Sequence, residues 1–141
     1  MSTETNKATV RRMLEQLWNE RRVELIDEFF TEDIVSHVVG FPSSSGLAET
    51  RQGLTMNLNA FPDIKISIDD EIAEGDKVVF NWTSRGTHQG ELYGIPATGK
   101  QVTNTGMTIY RLENAKIAEL WFIGDNLGMM QQLGVVPANA A

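Results

Sequence analysis

The stretch Lys116–Gly134, KIAELWFIGDNLGMMQQLG, decides the reading of this chain. Its first half is rich in β-branched and aromatic residues. Asp125 then precedes a segment in which Leu127, Met130 and Leu133 stand three apart. The pattern predicts a strand, a capped break and a short helix. Ala118, Leu120 and Phe122 fall on one face of the strand, and Ile117, Trp121 and Ile123 on the other. Both faces are largely apolar, so the strand is expected to be covered on both sides.

Immediately upstream, Glu113-Asn114-Ala115 reads as a tight turn, with Asn114 best suited to a left-handed backbone. It joins the last strand to a long strand over Gln101–Leu112. Before that, Lys77–His88 alternates Val78, Phe80, Trp82 and Ser84 with Val79, Asn81, Thr83 and Arg85. From Ile64 to Ile72, isoleucines at 64, 66, 68 and 72 alternate with polar residues, which predicts one buried and one wet face. Glu74-Gly75-Asp76 closes these two strands into an antiparallel pair. The segment Gly90–Lys100, with three glycines and a proline, is expected to form a mobile rim.

Further upstream the period becomes helical. Val10, Met13, Leu14, Leu17 and Trp18 share one face of a helix from about Thr5 to Asn19. Val23, Ile26 and Phe30 mark a second, shorter helix. Asp33–Val39 suggests a brief strand around His37, followed by the loop Gly40–Gly46, GFPSSSG, which is expected to hold no regular structure. Ser45 or Gly46 can cap a third helix carrying Glu49 in its first turn and Leu47, Leu54, Leu58 and Phe61 on one side, and Pro62 ends it. Helices first, then a meander of long strands, then a terminal helix make an α+β fold: a curved antiparallel sheet closed by helices around an apolar pocket. Its opposite face, apolar on the last strand, calls for a second copy of the chain, so a homodimer through the sheet is expected.

The 141 residues suit a single domain, 1–141, able to bury a core without staples. No cysteine is present, which removes disulfides, thiolate metal sites and a thiol nucleophile, and favours the cytoplasm. The amino terminus lacks the apolar core of a signal peptide, and no apolar run approaches the roughly 18 residues of a membrane span. A net charge of -7, without a basic cluster beyond the Arg pairs at 11–12 and 21–22, argues against nucleic acid as a partner.

The segments FPDIKISIDDEIAEGDKVVFNWTSRGTHQGELYGIPATGK, YRLENAKIAELW and DNLGMMQQLG, at 61–100, 110–121 and 125–134, resemble the SnoaL-like polyketide cyclases, or ester cyclases, of the nuclear-transport-factor-2-like superfamily. The resemblance runs from the first helix to Gly134. It implies an NTF2-like α+β cone, usually dimeric, that closes rings of small molecules by intramolecular aldol condensation without metal or cofactor. It also implies an acid/base carboxylate at the position of Phe122 and a histidine at that of Thr108, while many relatives carry a polar residue where this chain has Leu120. Apolar side chains there bind apolar surface and move no proton.

The remaining polar groups are then the candidates for chemistry. His37, placed at the expected mouth of the cone, is a candidate general base or a half-exposed histidine with a backbone partner. Asp125 is a helix cap that can also support that base, and Tyr110 a donor to a developing oxyanion. Leu120, Phe122, Trp82, Thr108, Asn104 and His88 are candidate substrate contacts, with His88 alternatively tying down the glycine-rich loop. Three look-alikes are set aside. Gly94–Lys100 has P-loop spacing but lacks the following Ser/Thr and helix, Asn81-Trp82-Thr83 is a mid-strand glycosylation triplet, and His37, His88 and Asp125 lack metal-ligand spacing. The expectation is a cofactor-independent acid/base enzyme acting on a hydrophobic carbonyl or ester compound. The alternatives are a non-catalytic binding protein of the same fold, or an isomerase or dehydratase with a relocated acid/base pair.

Overall fold

A computed structural model describes residues 2–137; Met1 and positions 138–141 of the expected domain lie outside the described residues. In chain order the elements are α1 (Thr3–Met13), α2 (Ile26–Phe29), β1 (Phe30–Val38), β2 (Ser44–Ser45), α3 (Leu47–Ala60), β3 (Lys65–Glu74), β4 (Lys77–Thr87), β5 (Gln101–Glu113), β6 (Lys116–Gly124) and α4 (Asn126–Leu133). The six strands form one curved, open sheet in the order β2-β1-β6-β5-β4-β3. The sheet is mixed, because β1 runs parallel to β6 while the other neighbours are antiparallel.

Val10, Met13, Leu14 and Leu17 are buried as their spacing predicts. The helix loosens at its carboxyl end into a π-helical turn over Leu14–Asn19, where the Glu20 amide reaches back to the Glu15 carbonyl at 2.8 Å. This turn delivers Asn19 to the edge of the sheet. Its Nδ2 donates to the Ile66 carbonyl at 3.0 Å, and its Oδ1 accepts from the Ile66 amide at 2.7 Å. The second helix is shorter than its pattern suggests: a 3-10 turn over Val23–Leu25 leads into α2, which buries Ile26 and Phe29.

The expected brief strand at 33–39 is longer and begins at Phe30. The expected irregular loop contains Ser44 and Ser45, which pair with Ser36 and Val35 as β2. The 90–100 segment, read as a mobile rim, is tied down. The His88 amide bonds the Lys100 carbonyl, the Gln89 amide bonds the Ala60 carbonyl, and Leu92 is fully buried.

Two β-bulges overturn two side-chain placements, since one extra residue exchanges the faces of everything beyond it. Between Ile68 and Asp70 the register of β3 slips, so Glu71, not Ile72, shares the inner face with Phe80. Glu71 is then held in a two-pronged pair by Arg11 of α1, at 2.8 and 2.9 Å, while Ile72 turns outward and is 64% exposed. A second slip between Arg111 and Leu112 puts Ile117 opposite Leu112 and into the core, away from Trp121 and Ile123. Within this chain β6 is therefore covered on its inner face only, and Ile123 is 52% exposed.

At the end of the decisive stretch, Asp125 caps α4 as its position predicts: its Oδ1 accepts from the Gly128 amide at 2.8 Å. The helix buries Met129 and Leu133, one turn apart, and leaves Leu127 exposed. Asn114 takes the expected left-handed backbone at φ 50°, and Ala115 joins it at φ 67°.

Candidate active site

Between the inner sheet face and helices α1 and α3 lies a cavity of about 410 Å³. Met13 of α1, Leu17 of the π-helical turn and Leu54 of α3 form its helical wall, while Trp82, Tyr110, Leu120 and Phe122 form its sheet wall. Those four come from β4, β5 and β6, where cross-strand register places Phe122 beside Thr108 and Leu120 beside Tyr110. Gly106 makes the arrangement possible. It lies opposite Trp82, and a Cβ there would meet the indole Cζ2 at 2.4 Å, so only a glycine lets the ring cross β5. The indole then stacks on Phe122 at 5.3 Å between centroids, and its Nε1–H donates to Thr108 Oγ1 at 3.0 Å.

Polar atoms are few in this lining. Ser36, Ser84, Asn104, Thr108 and Tyr110 bring hydroxyls and an amide from the sheet, and Asn57 adds an amide from α3. Burial raises the Tyr110 phenol well above its ordinary pKa, with the Thr108 hydroxyl opposing the shift. Among the described lining residues the only carboxylate is Glu49, which is exposed at the start of α3 and accepts from the Ser45 amide at 3.1 Å.

Six of the sequence candidates, Trp82, Asn104, Thr108, Tyr110, Leu120 and Phe122, are brought together around this cavity. Three are not. His37 faces away from it: its neighbours Ser36 and Val38 line the cavity, whereas His37 stands beside Trp121 on the outer face and stacks on that indole at 5.4 Å. The cause is strand parity, since alternate residues of β1 point to opposite faces. There His37 Nε2 pairs with Glu119 Oε2 at 2.7 Å and Nδ1 with Ser43 Oγ at 2.8 Å. His37, with Arg111, holds the Glu119 carboxyl below its usual range. Asp125 is exposed and is engaged as the cap of α4.

His88 is fully buried against Phe61 and outside the cavity lining. Its Nδ1 accepts from the Thr98 amide at 3.2 Å, which assigns the ring proton to Nε2, an atom with no partner among the described residues. It ties the glycine-rich loop in place. His37, His88 and Asp125 are not assembled into a ligand set, and among the described residues no group of three or more His, Cys, Asp or Glu side chains is placed to hold a metal. Nor is any described helix long and apolar enough to cross a membrane.

Sequence reasoning missed Glu49, Ser36, Ser84 and the entrance aromatics Phe41 and Tyr93 as lining residues. Glu49 stood out only as an acid in the first turn of α3, which the helix dipole explains without a pocket.

Comparison with known proteins places these features in a family. A solved structure from Acidithiobacillus ferrooxidans, assigned as a polyketide cyclase, superposes with a TM-score of 0.84 at 30% identity, covering 96% of this chain and 99% of that one. AclR from Streptomyces galilaeus, assigned as a hydroxylase, gives 0.87 at 27% identity over 98% and 86%. A SnoaL-like protein from Jannaschia, assigned as a polyketide cyclase, gives 0.89 at 21% identity over 96% and 95%, a likeness of fold. Among curated proteins no significant match was found. The sequence itself matches the SnoaL-like polyketide cyclase family over residues 8–133, so this chain belongs to that family.

Proposed function

We propose that this protein is a SnoaL-like enzyme acting, in the cytoplasm, on a hydrophobic small molecule that carries a carbonyl or ester, by acid/base chemistry in the cavity between the sheet and α1. The observation that carries this reading is the position of Tyr110, which lines a largely apolar cavity beside Thr108. A phenol in such surroundings donates a hydrogen bond to a carbonyl oxygen, and does so more strongly as that oxygen gains charge. Loss of a proton next to the carbonyl then yields an enolate that Tyr110 stabilises. Glu49, the one carboxylate among the described lining residues, is the candidate to take that proton. Leu120 and Phe122, where the resemblance implies a polar residue and an acid/base carboxylate, serve as apolar contacts instead.

A second reading, a binding protein without turnover, draws on the absence of histidine from the described lining and on the exposure of its one carboxylate. One experiment separates the two. The protein is incubated with a panel of hydrophobic β-keto esters, and products are followed by chromatography and mass. The enzyme reading expects an isomeric or dehydrated product whose formation falls in Glu49→Gln. Binding of a panel compound with no product from any of them supports the binder instead.

We further infer that the outer face meets a second copy of the chain. Cross-strand register aligns Ile72, Val79, Ile109, Trp121 and His37 in one row, and Met107 and Ile123 lie beside it. Isolated exposed apolar residues are ordinary, but a contiguous apolar row across four strands, ending at His37 on a fifth, is a patch of the kind that interfaces cover.

A further inference from the structure

The cavity opens between two loops, and each presents an aromatic ring to the other. Phe41 and Tyr93 both line the entrance, and they stack with centroids 5.2 Å apart and ring planes 29° from parallel. Both rings are about half exposed, at 45% and 48%, so the contact faces water on its outer side.

Tyr93 sits at φ 48° in the turn between Leu92 and Ile95, whose amides and carbonyls bond each other in both directions at 2.8 and 3.0 Å, and Leu92 anchors that turn in the core. Phe41 belongs to the loop bracketed by Gly40 and Gly46, at φ 92° and 94°, where a side chain would be strained. Neither glycine is crowded: a Cβ would meet nothing within 4 Å at Gly40 and only the Glu32 carbonyl, at 3.9 Å, at Gly46. What the two positions demand is a left-handed backbone; Ser44 and Ser45 pair with β1 and the Gly46 amide bonds the Ile34 carbonyl at 2.8 Å, which leaves 40–43, outside strand pairing, as the segment that carries Phe41. Midway between the two glycines Ser43 bonds His37, which Glu119 holds from its other ring nitrogen.

We propose that Phe41 and Tyr93 form a gate that limits the size of molecule entering the cavity, with Tyr93 one jaw, on the anchored turn, Phe41 the other, and His37 a positioning residue that latches the 40–43 segment through Ser43. The proposal rests on the cavity being the substrate site and assigns it a selection step: compact, flat hydrophobic molecules pass between the parted rings, and bulky ones do not. It also gives His37 a task consistent with its place outside the cavity.

The test needs no substrate, so its failure is separate from any failure of the enzymatic reading. The chain has no cysteine, and Ser36 lines the cavity behind the entrance. The thiol introduced by Ser36→Cys therefore reports access. Its reaction is timed with a small reagent, methyl methanethiosulfonate, and a bulky one, a fluorescein maleimide, each normalised to a free thiol. Adding Phe41→Ala or Tyr93→Ala is expected to speed the bulky reagent roughly tenfold and the small one less than about threefold, as for a barrier removed from a size-limited path. Tyr93→Phe, which keeps the stack, is expected to react like the parent, and His37→Ala to show part of the acceleration. Melting temperatures of all variants verify folding, and Glu74→Ala, at the exposed hairpin between β3 and β4, serves as the control. Unchanged rates in both alanine variants, or equal acceleration of both reagents, overturn the gate. A parental rate in His37→Ala removes the latch from it.

Discussion

The indole of Trp82 and the hydroxyl of Thr108 share a buried hydrogen bond, 3.0 Å from Nε1 to Oγ1, across neighbouring strands at the floor of the cavity. An indole can only donate, so Thr108 must accept, and its own hydrogen is left to point elsewhere. The polarity of the cavity floor is thereby set. Thr108→Val keeps the shape but leaves the buried N–H without an acceptor, at an expected cost of about 1–3 kcal/mol. Thr108→Ser retains the acceptor and is expected to lose less. Chemical denaturation of the two variants side by side checks this, and equal stabilities would count against the bond.

Tyr110→Phe removes one oxygen and preserves the packing of a buried ring. If the phenol stabilises a developing oxyanion, turnover drops roughly 10²-fold with little change in KM or melting temperature. Steady-state kinetics on a compound turned over by the parent protein provides the comparison. A mainly raised KM would make Tyr110 a ground-state contact.

Asp63 accepts from both the amide and the hydroxyl of Thr87, at 2.7 Å each, and these bonds hold its carboxyl below the ordinary value. Glu71, gripped by Arg11, is lowered in the same way. A carboxyl with a depressed pKa in the folded chain stays ionised there when the unfolded chain would already be protonated. Its stabilisation is complete above the unfolded value, near 4, and is lost as the pH falls through the folded one. Melting temperature is therefore expected to fall on acidification below about pH 4.5, less steeply in Asp63→Asn. Asp63 is exposed and Glu71 partly so, so the change in slope is small. Identical slopes in parent and variant would refute the assignment.

Ile123 lies on the outer face, half exposed, beside the row that contains Trp121. Ile123→Arg is expected to shift a dimer toward monomer with little effect on the fold, since the arginine stays in water in the free chain and is buried unpaired only at an interface. Sedimentation velocity at micromolar concentration reads the result. An unmodified protein that already sediments as a monomer removes the sheet face as a contact.

The architecture was legible because periodicity was strong: four apolar residues of α1 and the π-helical turn that follows it, the alternation of β4, and the Asp125 cap all stand where their spacing places them. What escaped the sequence was parity wherever the chain slips. The slip at Asp69–Asp70 sent Ile72 outward, and the one beside Leu112 drew Ile117 inward. Neither leaves a mark in composition. His37 escaped for a related reason. A short strand with apolar residues on both sides of a histidine does not declare which face is inner, and the answer came from its parallel pairing with β6. The inner set on β4, β5 and β6 was legible because the long antiparallel strands carry unbroken alternation from Trp82 through Tyr110 to Phe122.

The clasp between Asn19 and Ile66 has a consequence beyond closing the cone. β3 ends the sheet, and its outward-facing amides and carbonyls are a template on which a strand from another molecule can add. By occupying both groups of Ile66, one asparagine side chain impersonates a neighbouring strand for a single residue and interrupts that template. The opposite margin, β2, is only two residues long. This protein thus guards itself against edge-to-edge polymerisation with a side chain at one margin and brevity at the other, which leaves the broad face of the sheet as the safer place for self-recognition.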